Sequence, residues 1–177
     1  ANRFASDAFG MQLGYYVGDF DRTGSPFHAN ANKSLTPASN RSLYNANIST
    51  WAAKSIAVPG AGLEYEEMTG YRYQYDELNR LKSAGFEYYD SGWLTSNDYG
   101  SSYSYDENGN MMSLGRNGYA AQALAMDNLA YTYLPNSNQL DHVSDVSPNG
   151  NYTVDIDGQS PGNYAYDAIG NLVSDVQ

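Results

Sequence analysis

The chain has 177 residues, 20 acidic against 9 basic side chains, a net charge of -11 and no cysteine. Nine scattered Lys and Arg residues cannot neutralise a phosphate backbone, so nucleic acid is excluded as a partner and anionic membrane surfaces are disfavoured. Disulfides, thiol catalysis and Cys-ligated metal centres are excluded as well, and no apolar run approaches the ~18 residues of a membrane-spanning helix.

Eighteen tyrosines and 17 glycines, with abundant Asn and Ser, argue for pleated sheets and turns rather than long helices. The expected fold is all-β. In chain order, strands are predicted at about 12–18, 63–75, 79–88, 101–106, 110–115, 129–134, 138–144, 152–156, 163–167 and 171–175. Residues 22–42, with Pro26 and Pro37, read as a long loop. Residues 119–128 have the best helix propensity of the chain, enough for a helical turn or two or an excursion between hairpins. The start, Ala1-Asn2-Arg3 without Met, suggests a processed product or a piece of something longer.

Four segments align with one another. Tyr73 and Tyr75 precede Asp76, Asn79, Arg80 and Leu81; Tyr103 and Tyr105 precede Asp106, Gly109, Asn110 and Met111; Tyr164 and Tyr166 precede Asp167, Gly170, Asn171 and Leu172. A decayed copy keeps Tyr131, Tyr133 and Leu140 but loses Asp and Gly. The spacing is roughly 30 residues, the length of one supersecondary unit. Tyr-x-Tyr places both rings on one face of a strand. The Asp at the strand end can accept backbone N–H bonds, and Gly (or Asn79) can take a positive φ. Each unit therefore reads as a β-hairpin with a short connection. Further turn signals stand at Asn117-Gly118 and Asn149-Gly150.

The recurring Tyr-x-Tyr-Asp-x-x-Gly-Asn-apolar pattern resembles the YD repeat of RHS (rearrangement hotspot) proteins, clearly over about residues 71–172. Phe9–Tyr16 and Leu43–Trp51 are more loosely similar to the stretch preceding the repeats in RHS-like secreted bacterial proteins. The resemblance implies consecutive antiparallel hairpins in a curved or spiralling strip, part of a shell. It also implies one array over 1–177, looser and loop-rich over 1–62 and clear over 63–177. It further implies a secreted or cell-surface location and export as cargo of an outer-membrane system, the type IX system among them. Its partners would be further repeats of the same chain, a capping protein or the secretion machinery. Toxin-delivering members carry an Asp-Pro-x-Gly cleavage segment; none of the six prolines here follows Asp directly.

Chemistry is weighed against this structural reading. Asp106-Glu107-Asn108-Gly109-Asn110 has calcium-loop letters, but Met111 and Asn117 occupy the sixth and twelfth places, where an EF-hand needs Gly and Glu. Asp155-Ile156-Asp157-Gly158 is a second acidic cluster without further ligands, and His28 and His142 are too few for a typical zinc site. Asp141, His142 and Ser144 supply the letters of a triad without a nucleophile elbow. The repeated Asp76, Asp106 and Asp167 recur as turn residues should, whereas a catalytic acid would occur once. No cofactor, metal or catalytic residue is expected. Two alternatives remain: a carbohydrate-binding adhesin module using Trp51 and Trp93 as stacking platforms, or a shell fragment of a toxin-delivery protein.

Overall fold

A computed structural model describes residues 9–18, 35, 43–55, 68–121, 123–147, 152 and 156–176. They form ten strands and, among the described residues, no helix: β1 (Phe9–Gly14), β2 (Thr50–Ser55), β3 (Met68–Tyr75), β4 (Leu81–Tyr89), β5 (Trp93–Tyr105), β6 (Met111–Asn117), β7 (Ala125–Tyr133), β8 (Leu140–Asp145), β9 (Tyr164–Tyr166) and β10 (Leu172–Asp175). Strands β1 to β8 lie in chain order in one sheet, and β9 and β10 form a separate antiparallel ribbon. Consecutive hairpins are thus the architecture, as the alternation of Tyr-rich strands and Asp/Gly corners requires. The chain divides into two compact units, residues 1–96 and 97–177.

In the first unit β1 to β4 pair antiparallel. Among its described residues Thr50 and Leu35 are each 1% exposed, and the Thr50 hydroxyl donates to the carbonyl of Leu35 at 3.0 Å. Gly70 on β3 leaves room for it: a Cβ there would lie 2.7 Å from Leu35 Cδ2 and 2.6 Å from the Trp51 carbonyl oxygen. Trp51, Tyr71 and Phe86 follow one another across β2, β3 and β4, with centroids 6.0 and 5.4 Å apart. Such pairs are the stabilising unit of a sheet face.

The second unit contains most of β5 and the strands that follow it. Leu129 on β7 and Val143 on β8 are buried. Beyond β8 the chain returns along it, so that the Gln159 amide donates to the Val143 carbonyl at 2.8 Å and the Gln159 side chain accepts from the Val143 amide at 2.9 Å.

Several sequence expectations need correction. Strand β1 begins earlier and ends at Gly14, not 18, because Gly18 takes a positive φ and the Tyr15 carbonyl turns to the Leu43 amide. Strand β2 was not predicted: Thr50-Trp51-Ala52-Ala53-Lys54 lacks clear alternation, and pairing on both sides makes it a strand. Among the described residues of 119–128 the helical-type bond is Ala123 N–H to the Tyr119 carbonyl, and from Ala125 the chain is already β7. Strand β5 extends back to Trp93, well before the predicted 101. Most of the 22–42 loop and of the predicted 152–156 strand, and the Asn149-Gly150 turn, lie outside the described residues.

Candidate functional site

The repeated residues meet at the hairpin corners. In each of three corners the Asp backbone N–H donates to the carbonyl four residues on: Asp76 to Arg80, Asp106 to Asn110 and Asp167 to Asn171, each at 2.9 Å. A second bond runs back from Asn79, Gly109 and Gly170 to the Asp carbonyls. Those three residues carry positive φ of 63°, 92° and 93°, the left-handed conformation that closes the turn.

Each carboxylate is occupied by its own corner. Asp106 Oδ1 accepts the Asn110 amide and Oδ2 the Asn110 side chain, both at 2.8 Å. Asp167 repeats this with Asn171 and accepts the Ile169 amide, as Asp106 accepts that of Asn108. Asp76 accepts the Leu78 and Arg80 amides and pairs with the Arg80 guanidinium at 2.6 Å. Hydrogen bonds to the charged form favour it. The Asn110 side chain is the largest influence holding Asp106 below the ordinary carboxylate value, and Asn171 does the same for Asp167. At Asp76 desolvation pushes upward most, but the combined bonds and charge of Arg80 and the Leu78 amide bring it below that value.

The second tyrosine of each pair faces the apolar residue that opens its own return strand: Tyr75 and Leu81, Tyr105 and Met111, Tyr133 and Leu140, Tyr166 and Leu172. In all four hairpins the register slips there, leaving Lys82, Met112, Asp141 and Val173 as extra residues. This is a repeated β-bulge, which twists the ribbon and re-aims side chains. It also accounts for Asp141 and His142. As the bulge residue, Asp141 turns its carboxylate onto His142 Nδ1 at 2.7 Å, a bond that is the main influence lowering its pKa.

Successive hairpins are joined by tyrosine hydroxyls. Tyr75 donates to the Ile48 carbonyl at 2.9 Å, Tyr133 to Met111 at 2.8 Å and Tyr166 to Leu140 at 3.0 Å. In the latter two the acceptor is the first residue of the preceding return strand. Asparagine amides add a second stitch between corners, Asn110 to Asn138 at 2.9 Å and Asn45 to Asn79. Burial raises the pKa of Tyr75 and Tyr133. The first tyrosines act otherwise. Tyr73 stacks on Tyr71 at 6.3 Å, the Tyr103 hydroxyl accepts from Ser101 at 3.2 Å and that of Tyr164 from Gln159 at 2.9 Å. Tyr131 lies within electrostatic reach of Tyr103 and Tyr164, and burial raises its pKa.

Two corners depart from the pattern. Without Asp and Gly, the decayed copy closes one residue later, Leu134 N–H to Gln139 carbonyl, with the left-handed residue at Asn136 behind Pro135. Proline followed by a left-handed residue is the arrangement of a type II turn. The other corner was not foreseen. Ala46 has a φ of 68° and is followed by Asn47 and Ile48, the carbonyl that receives Tyr75. Its signal was the Asn-apolar dipeptide shared with Asn110-Met111 and Asn171-Leu172; the missing Asp and Gly concealed it.

The proposed glycan platforms are engaged with neighbours. Trp51 is half-buried against Tyr71, and Trp93 packs edge-on to Tyr89 at 5.7 Å. A different pair stands outside the repeat: Tyr99 and Tyr119, 47% and 51% exposed, with ring planes within 6° and centroids 6.3 Å apart. The buried carboxylates of Glu87 and Asp127 are each paired to an arginine on an adjacent strand, Arg72 and Arg116. Among the described residues no cluster of three His, Asp or Glu side chains could hold a metal ion. No helix there is long and apolar enough to cross a membrane. No protein-family model and no curated protein sequence matches the chain.

Proposed function

We propose that the chain is a non-catalytic structural repeat segment of a secreted or cell-surface bacterial RHS-like protein, exported as cargo of an outer-membrane system, with type IX as the system to test first. The observation that carries this reading is the repeated hydroxyl link: Tyr75, Tyr133 and Tyr166 each tie one hairpin to the one before it. Side chains recur at a fixed interval when each unit needs the same joint, and here both halves of the signature are accounted for by joints. Asp76, Asp106 and Asp167 hold the corner, and the second tyrosines Tyr75, Tyr133 and Tyr166 hold the neighbour. Curvature into a shell, and further repeats or a capping protein as partners, belong to the same proposal. An epitope tag inserted into the encoding gene tests it in the producing bacterium. The tagged protein is expected in the medium or on the cell surface, accessible to protease in intact cells, and to be retained when the outer-membrane exporter is deleted. Cytoplasmic retention in the parent strain would refute it.

A glycan-binding role remains the second reading, favoured by the exposed parallel rings of Tyr99 and Tyr119. Aromatic faces suit the apolar face of a sugar ring, and the chain's negative charge leaves a neutral ligand the better match. Glycan-array binding lost in Tyr119→Ala and retained in Trp51→Phe would support it; an empty array would remove it.

A further inference from the structure

We propose that Asn108 is a self-modification site, where the Gly109 amide nitrogen closes on the Asn108 side chain and water reopens the ring to aspartate or isoaspartate. The step balances with water as the sole co-reactant. Gly109 N attacks Asn108 Cγ and loses its proton, and the Asn108 side-chain nitrogen leaves as ammonia. Water then cleaves either carbonyl of the succinimide, so asparagine plus water becomes an acid plus ammonia. Glycine after Asn favours the closure, because no Cβ crowds the attacking nitrogen and the backbone rotates freely. Two Asn-Gly pairs fall among the described residues, Asn108-Gly109 and Asn117-Gly118; Asn149-Gly150 lies outside them. The structure decides between the two. At Asn117 both reacting groups are held. The nitrogen that must leave, Asn117 Nδ2, donates to the Asn97 carbonyl at 2.7 Å. The attacking nitrogen, Gly118 N, donates to the Leu124 carbonyl at 2.8 Å, and the Gly118 carbonyl accepts the Tyr99 amide at 3.1 Å. Gly118 is also buried, and a Cβ there would run into the Tyr152 hydroxyl. Asn108 and Gly109 are instead both exposed, with open space around Gly109. Gly109 N donates to the Asp106 carbonyl at 3.2 Å, the long end of the range for such bonds.

The modification acts on the corner that contains it. Of the three Asp-bearing corners, this one places Asn before the left-handed residue; the others have Leu78-Asn79 and Ile169-Gly170. Asn108 stands between Asp106 and Asn110, whose amide and side chain both bind the Asp106 carboxylate at 2.8 Å. Isoaspartate adds a methylene to the backbone between them, and the four-residue spacing that aligns these bonds is lost. The product also sets a third carboxylate beside Asp106 and Glu107, which like-charge repulsion disfavours. Asn110 donates as well to Asn138 of the following hairpin at 2.9 Å. A loosened corner therefore loosens the stitch to its neighbour.

Ageing the full 177-residue chain in mildly alkaline buffer, followed by peptide mass spectrometry, tests the site. Asn108 is expected to convert at least about ten-fold faster than Asn117, which must first release two hydrogen bonds. In concentrated urea the two rates should converge. Equal rates in the folded chain, or faster conversion at Asn117, overturn the site; rates that stay apart in urea overturn its structural basis. An isoaspartate-specific methyltransferase separates the two acid products. Hydrogen exchange then reads the consequence. The Asn110 amide should exchange about ten-fold faster in the isoaspartate form, the loss of a bond to a charged acceptor. Aged Asn108→Ser, which has no ammonia to lose, should show no change. Asn108→Asp carries the charge without the added methylene and should shift exchange by less than about three-fold. Unaltered exchange in the isoaspartate form overturns the coupling to the corner. None of these readouts depends on where the protein is exported or on what it packs against.

Discussion

Tyr133→Phe isolates the hydroxyl joint. The substitution keeps the ring and removes the donor that reaches the Met111 carbonyl at 2.8 Å. A neutral hydrogen bond contributes about 0.5–1.5 kcal/mol net. Met111 is only half-buried, so water can take the place of the lost donor and the lower half of that range applies. For a chain of this size that corresponds to a fall of about 1–4 °C in melting temperature. Tyr131→Phe is the matched control: same strand, same face, no hydroxyl joint, and an expected change within about 0.5 kcal/mol. Thermal unfolding read by near-UV circular dichroism compares them. The joint also has a pH signature. Burial raises the pKa of Tyr133 above the ordinary tyrosine value of 10.0, so the folded state holds that proton more tightly than the unfolded chain does. Its contribution is therefore complete below pH 10 and is lost as pH climbs from the unfolded value through the folded one. The alkaline decline should be shallower in Tyr133→Phe. Equal melting temperatures for the two variants, or an unchanged alkaline limb, would refute the joint.

Further predictions concern the corners and the core. Gly70→Ala should destabilise by about 1–3 kcal/mol, because its Cβ would lie 2.6 Å from a backbone oxygen that cannot move without disturbing the β2–β3 ladder. Gly85→Ala on the adjacent strand, with its nearest atom 3.9 Å away, should be neutral or stabilise by up to about 1 kcal/mol; urea unfolding of both distinguishes them. Gly109→Ala forces a side chain to a φ of 92° and should cost about 1–2 kcal/mol, with faster amide exchange at Asn110. Asp106 and Asp167 are held below the ordinary carboxylate value by Asn110 and Asn171, and Asp76 by its bonds to Arg80 against desolvation. Their contribution is complete above pH 3.8 and lost as pH falls through the lowered folded values, so an acid titration should show corner amides opening only below about pH 4.

Corners and strand alternation were legible because they are local. Asp106 to Asn110 and Asp167 to Asn171 form bonds across four residues, so sequence spacing fixes the partners without any knowledge of neighbours. The same locality marks Tyr-x-Tyr as one face of a strand and makes the chain all-β. Joints between hairpins are not local. Which carbonyl Tyr75, Tyr133 and Tyr166 would reach depends on the bulge that re-aims each ring and on which strand lies alongside. Periodicity showed that the tyrosines served the repeat but not that the hydroxyls of Tyr75, Tyr133 and Tyr166 would form its joints. Strand β2 and the Ala46-Asn47-Ile48 corner were hidden for the same reason. Their residues have weak preferences of their own, and pairing with β1 and β3 supplies the conformation that sequence left open. Leu35 is the extreme case, buried against Gly70, far along the chain, where any side chain would collide with it.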